Sequence, residues 1–165
     1  MSHQALIPII QPTQILAQLR SGQILCVKGG RGSALIICHR HYAELAGSGA
    51  AVGGSFDIDC GRIIPIGNVS LVYPESRAER QKAYVMRQQW IGFTQKAMES
   101  SVPLQRAKNL LFLLCKYFDP EMIKRLPDEV LAQMVGVLPK TMRMARVWTP
   151  LQPEHQKTEA QKVEV

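Results

Sequence analysis

Between Glu75 and Ser100 the chain carries no proline and a single glycine, and Ala83, Met86, Trp90, Phe93 and Ala97 recur at spacings of three and four. That spacing lines the five side chains along one face of a helix. Arg77, Arg80, Lys82, Arg87 and Lys96 supply its polar surface. A long amphipathic helix in the middle of a 165-residue chain must bury its stripe, against its own chain or against a second copy. The segments on either side of it are of two different kinds.

The first 74 residues read as a small β-rich N-terminal domain with one leading helix. Over residues 13–20, Ile15, Leu16 and Leu19 share a helical face, with Thr13 available as N-cap and Gly22 just past the end. Ile24–Lys28 and Ala34–Cys38 are short apolar runs separated by the turn Gly29-Gly30-Arg31-Gly32-Ser33, and they predict two strands. Residues 46–54 are so rich in glycine that they predict a flexible connection. Phe56–Ile66 and Asn68–Tyr73 predict a further strand pair joined at Gly67. No internal repeat is visible.

The other side is helical. Pro103 marks a break, and Leu104–Phe118 predicts a central, very apolar helix. Asp119-Pro120 restarts the chain as an N-cap followed by Pro at the first helical position. Glu121–Arg125, Glu129–Val135 and Pro139–Trp148 predict three more helices. The whole is an α+β protein: the β-rich unit over 1–74, a connecting and dimerisation helix over 75–100, a helical domain over 101–148, and a disordered tail over 149–165.

Charge separates the same segments. The formal net charge is +7, and the segment from Glu75 to Trp148 holds thirteen Lys and Arg against seven Asp and Glu. A polyanion is the obvious partner for such a segment, although a solvated basic helix surface has the same composition. Aromatic residues make up only 6%, which argues against a stacking surface for single-stranded nucleic acid and makes RNA the weaker expectation. The longest apolar runs, Ala34–Cys38 and Leu110–Cys115, fall far short of the roughly 18–20 residues that span a bilayer. No Lys or Arg precedes the apolar stretch of the N-terminus, so a secretory signal is not expected. Cys26, Cys38, Cys60 and Cys115 contain no CxxC pair and fit reduced thiols of a cytoplasmic protein.

Residues 128–147 carry the most specific pattern. Two helices that cross closely need a small residue midway along the first, and Ala132 is there. The turn needs a residue that tolerates positive φ, and Gly136 follows four positions later. Leu131, Val135, Val137, Met142 and Ala145 supply inward apolar side chains, and Pro139 opens the second helix. Leu131-Ala132-Gln133-Met134-Val135-Gly136-Val137 with Lys140-Thr141-Met142-Arg143 resembles the helix-turn-helix of the cyclic-AMP receptor protein family of bacterial regulators. The resemblance implies DNA binding through the second helix. It does not extend to the N-terminal half, which is too short for that family's cyclic-nucleotide barrel, and no C-terminal wing follows Trp148.

On a helical wheel, Lys140, Arg143, Met144, Arg146 and Val147 lie opposite a packed face. Arg143 is the candidate for a base edge, because a guanidinium can bond G O6 and N7 together. Lys140 and Arg146 are the candidates for phosphates, and Thr141 and Met144 complete the candidate interface. The expectation is a bacterial transcription regulator that binds double-stranded DNA as a homodimer, with RNA polymerase as a further candidate partner. The competing expectation is an adaptor that docks on transcription or signalling proteins without touching DNA.

Other constellations are weaker. Cys38-His39-Arg40-His41 matches no zinc spacing, and Gly29–Ser33 lacks the Gly-Lys-Ser/Thr ending of a phosphate loop. Asp57 and Asp59 are expected on one strand face with no catalytic companion. No enzyme signature, metal site or cofactor is expected.

Overall fold

The computed structural model describes residues 6–7 and 12–148. Its elements in chain order are β1 (Leu6–Ile7), α1 (Pro12–Arg20), β2 (Ile24–Lys28), β3 (Ala34–Cys38), β4 (Ala43–Gly47), β5 (Ala51–Gly53), β6 (Arg62–Ile66), β7 (Ser70–Val72), α2 (Arg77–Ala97), α3 (Pro103–Tyr117), α4 (Pro120–Lys124), α5 (Asp128–Val135) and α6 (Pro139–Trp148). The α+β class follows directly. The predicted tail over 149–165 lies outside the described residues.

The strands form two antiparallel sheets, one in the order β1-β7-β2-β5 and the other β4-β3-β6. Every residue of β3 is buried, because both of its faces are covered. Successive side chains of a strand point to opposite faces. Accordingly Leu35 and Ile37 join Leu25, Val27, Leu71 and the α1 residues Ile15 and Leu19 in one apolar cluster. Ala34, Ile36 and Cys38 join Leu110, Leu111, Leu131 and Val135 in the other. The molecule is thus layered: sheet, apolar filling, sheet, apolar filling, helices. The helical segment shares a continuous core with β3 and β4, with no break in packing at residue 100.

Three expectations meet the structure here, and the first two need correction. The glycine-rich stretch 46–54 is not a flexible connection: it holds the end of β4, a tight turn and β5. Gly47 is there for close approach, since a Cβ at that position would lie 2.1 Å from Cε2 of Trp90. The predicted strand Phe56–Ile66 shrinks to Arg62–Ile66, and the predicted pair around Gly67 is split between the two sheets, β6 pairing with β3 and β7 with β2.

The third concerns the long helix. Its start is set by a capping box, in which the Ser76 hydroxyl accepts from Glu79 N and the Glu79 carboxylate accepts from Ser76 N. The apolar stripe turns inward. Ala83 and Ala97 are buried, Trp90 packs against both clusters, and Phe93 packs against the cluster shared with the helices. The rings of Phe118 and Phe93 lie 6.0 and 5.7 Å from Trp90. The stripe thus packs toward the chain's own core, with Ala83 and Ala97 buried and Met86, Trp90 and Phe93 half-buried.

Candidate nucleic-acid interface

The motif over 128–147 folds as two helices around a left-handed glycine. α5 ends at Gly136, with φ 62° and ψ 45°, and the Val137 N–H donates to Ala132 O at 3.0 Å. Leu131, Ala132, Val135, Met142 and Ala145 are all buried, and Val137 packs against the same cluster. Pro139 begins α6 as its spacing predicts. α6 lies against both α3 and α5, so its packed face is fully occupied.

Its other face presents Lys140, Arg143 and Met144 to solvent, with Thr141 at the margin and half-buried. The Arg143 side chain is 71% exposed, and its Nε stands 3.6 Å from Asp128 Oδ2, a loose ion pair that a competing acceptor can displace. Leu138, Met144 and Val147 add exposed apolar surface.

Arg146 does not belong to that face. Its Nε–H donates to Asp128 Oδ1 at 2.6 Å. Its Nη1 donates to Ile123 O at 3.2 Å and Lys124 O at 3.3 Å, and its Nη2 donates to Leu126 O. The guanidinium thereby gathers carbonyls at and just past the end of α4 and ties them to the first residue of α5. The expectation that Arg146 holds a phosphate is corrected: its donors are already engaged.

A second arginine, unnoticed in the sequence, does the same at the opposite end of α5. Arg106 on α3 donates to Val135 O and Gly136 O, each at 3.2 Å, and to Ser100 O at 3.2 Å. The turn of the motif is therefore clamped from outside. Neither clamp has a local sequence signal, because the acceptors are main-chain carbonyls that could belong to any residue type.

The structure also gathers His39, Glu44, Asp57 and Arg87, which are scattered in the sequence. The Arg87 guanidinium donates to both Asp57 oxygens at 3.0 Å, to Glu44 Oε2 and to Ala51 O. Burial alone would lower the affinity of Arg87 for its proton, but the Asp57 and Glu44 carboxylates outweigh it and hold Arg87 above its ordinary value. His39 Nδ1 lies 2.9 Å from Asp59, which pulls that exposed carboxyl below its ordinary value. His39 Nε2 faces Asp57 Oδ1 at 3.4 Å without hydrogen-bond geometry.

Among the described residues, ligand atoms of His39, Glu44 and Asp57 fall within 4.8 Å of one another. The guanidinium already occupies both carboxylates, so a divalent cation would have to displace it. The residues do not fit a metal, and the cluster instead ties α2 to the strands. His41, grouped with His39 in the sequence, is exposed and apart from it, and Asp57 and Asp59 lie in the turns after β5 rather than on a strand.

No model of a protein family matches this chain, and no curated protein matches its sequence. No helix among the described residues is long and apolar enough to cross a membrane.

Proposed function

We propose that this protein is a sequence-specific, double-stranded DNA-binding regulator of transcription, acting as a homodimer, with α6 as the helix that enters the major groove. The observation that carries this reading is the left-handed Gly136 turn between α5 and α6, with Arg143 and Lys140 on the solvent face of α6 and the other face packed. A helix of ten residues is about 15 Å long, which suits a major groove about 12 Å wide. Arg143 reads a base edge, Lys140 meets a phosphate, and Met144 offers apolar contact to a thymine methyl group. The resemblance of residues 128–147 to the cyclic-AMP receptor protein family supports the same reading. Dimerisation, through α2 or another surface, places two half-sites about 34–36 Å apart and so supplies the base contacts one motif lacks.

The exposed Leu138, Met144 and Val147 favour a second reading, in which the same face docks on a protein such as RNA polymerase. Selection of bound fragments from a random duplex library, followed by a salt series on the best fragment, separates the two. The regulator reading requires an enriched sequence and an affinity that falls steeply with salt. Absence of duplex binding at low salt overturns it.

A further inference from the structure

The loop between β2 and β3, Gly29–Ser33, faces the C-terminal end of α3 across an open cleft. A cavity of about 560 Å³ is lined by this loop together with Trp90, Lys116, Tyr117 and Phe118. A second cavity of about 520 Å³ shares Gly30–Ser33 and Tyr117 with the first and continues toward Asp119. Volumes of this size suit a small organic ligand.

The loop's residues are not all explained by the fold. Gly29 is required, since a Cβ there would meet Ser33 Cβ at 2.6 Å, and Gly32 has φ +83°. Gly30 has neither reason: its φ is not in the left-handed region and a Cβ would meet nothing within 4 Å. The bare main chain of Gly30 leaves room at the cleft for something outside the fold to approach.

The charge of the cleft names the chemistry. Arg31 and Lys116 line the first cavity, and among the described residues neither forms an ion pair with a carboxylate. The Lys116 ammonium lies 5.8 Å from the centre of the Tyr117 ring. That ring is held edge-on by Phe93 at 4.9 Å, yet Tyr117 stays 51% exposed. Asp119, in the second cavity, is committed as the N-cap of α4, where its carboxylate accepts from Glu121 N. Negative charge therefore belongs in the first cavity, beside Arg31 and Lys116, with an aromatic surface next to it.

We propose that this cleft binds a small organic anion, one acidic group joined to a planar ring, with Arg31 and Lys116 holding the acid, the bare main chain at Gly30 giving it room, and Tyr117 meeting the ring. Such a ligand touches a loop of the sheets and the end of α3 at once, so it braces the β-rich layers against the helices that carry α6. Binding there needs no DNA contact, and either property can be lost without the other.

Titration of the full-length protein with anilinonaphthalene sulfonate, followed through backbone amide resonances, tests this. Phenylnaphthylamine, the same ring system without the acid, is the control. The expected result is movement of the Gly29–Ser33 and Lys116–Phe118 amides by the sulfonate. Arg31→Glu with Lys116→Glu should weaken binding at least about tenfold, and Gly30→Val should obstruct it, with melting temperature unchanged in both. Should the double reversal fail to fold, Arg31→Gln with Lys116→Gln makes the same comparison. Shifts confined to other amides, equal binding of the uncharged control, or unchanged affinity of the charge variants would overturn the proposal.

Discussion

Arg146, on the last helix, donates its Nε–H to Oδ1 of Asp128, the first residue of α5, at 2.6 Å, while Arg143 stands 3.6 Å from the other oxygen of the same carboxylate. One acidic side chain thus faces two arginines with different duties. The tightly held one fixes the angle between the helices of the motif, and the loosely held one stays available to a ligand.

Arg146→Ala is expected to destabilise the fold by about 2–3 kcal/mol, because the half-buried Asp128 carboxylate loses its close partner and the carbonyls of Lys124 and Leu126 lose their side-chain donor. Urea denaturation measures this. Arg146→Lys should recover only part, since an ammonium cannot reproduce the planar fork. A variant with parental stability and weakened duplex binding would return Arg146 to the phosphate role.

Arg143→Ala should behave in the opposite way. Its side chain is 71% exposed, so stability should move by less than about 0.5 kcal/mol. Duplex affinity should fall by about 1–3 kcal/mol at the best site, with discrimination lost at one base pair. Lys140→Ala should weaken all sequences alike and reduce the salt slope by about 1. Competition binding at two salt concentrations distinguishes these outcomes.

Gly136→Val should cost about 1–3 kcal/mol through backbone strain alone. Its φ is 62°, and a Cβ there would meet nothing within 4 Å, so crowding of the turn plays no part. Gly136→Asn should lose clearly less, because asparagine visits the left-handed region more readily. Equal losses for Val and Asn, read from melting temperature, would point to some other cause.

Gly47→Ala should destabilise by about 1–3 kcal/mol, since the added methyl collides with the Trp90 ring. Trp90→Glu with Phe93→Glu should unfold or aggregate rather than yield a folded monomer. A folded, soluble, monomeric double variant in sedimentation would mean that the stripe of α2 is a seam between copies after all.

Acid should loosen the turn that carries Asp59. The hydrogen bond with His39 holds the Asp59 carboxyl below its ordinary value. The folded state therefore binds that proton less readily than the unfolded chain. Its stabilising contribution is present above the unfolded value, about pH 4, and is lost as pH falls through the lower folded value. Asp59→Asn should accordingly be less stable than the parent at neutral pH, and the two should converge as pH falls through the lower folded value. A difference that stays constant down the acid limb would rule this pairing out.

The spacing of apolar residues, the glycine of the motif and the prolines that open helices are enough to place most elements. Local rules suffice there. A positive φ selects glycine at Gly136, and a missing N–H makes Pro139 harmless at a helix start. The left-handed Gly136 turn between α5 and α6 is legible in the sequence for that reason, and so is the outward face carrying Lys140, Arg143 and Met144. Tertiary structure alone decided the rest. Periodicity shows that the stripe of α2 must be buried, but not whether against its own sheet or a second copy. Glycines in 46–54 look alike whether they give freedom or clear a path for Trp90. Arginines give the least away: Arg87 finds Asp57 across 30 positions of sequence and Arg146 finds Asp128 across 18. A guanidinium is committed to structure or left free for a ligand by which acceptors the fold brings to it, and that is a property of long-range packing which no local pattern records.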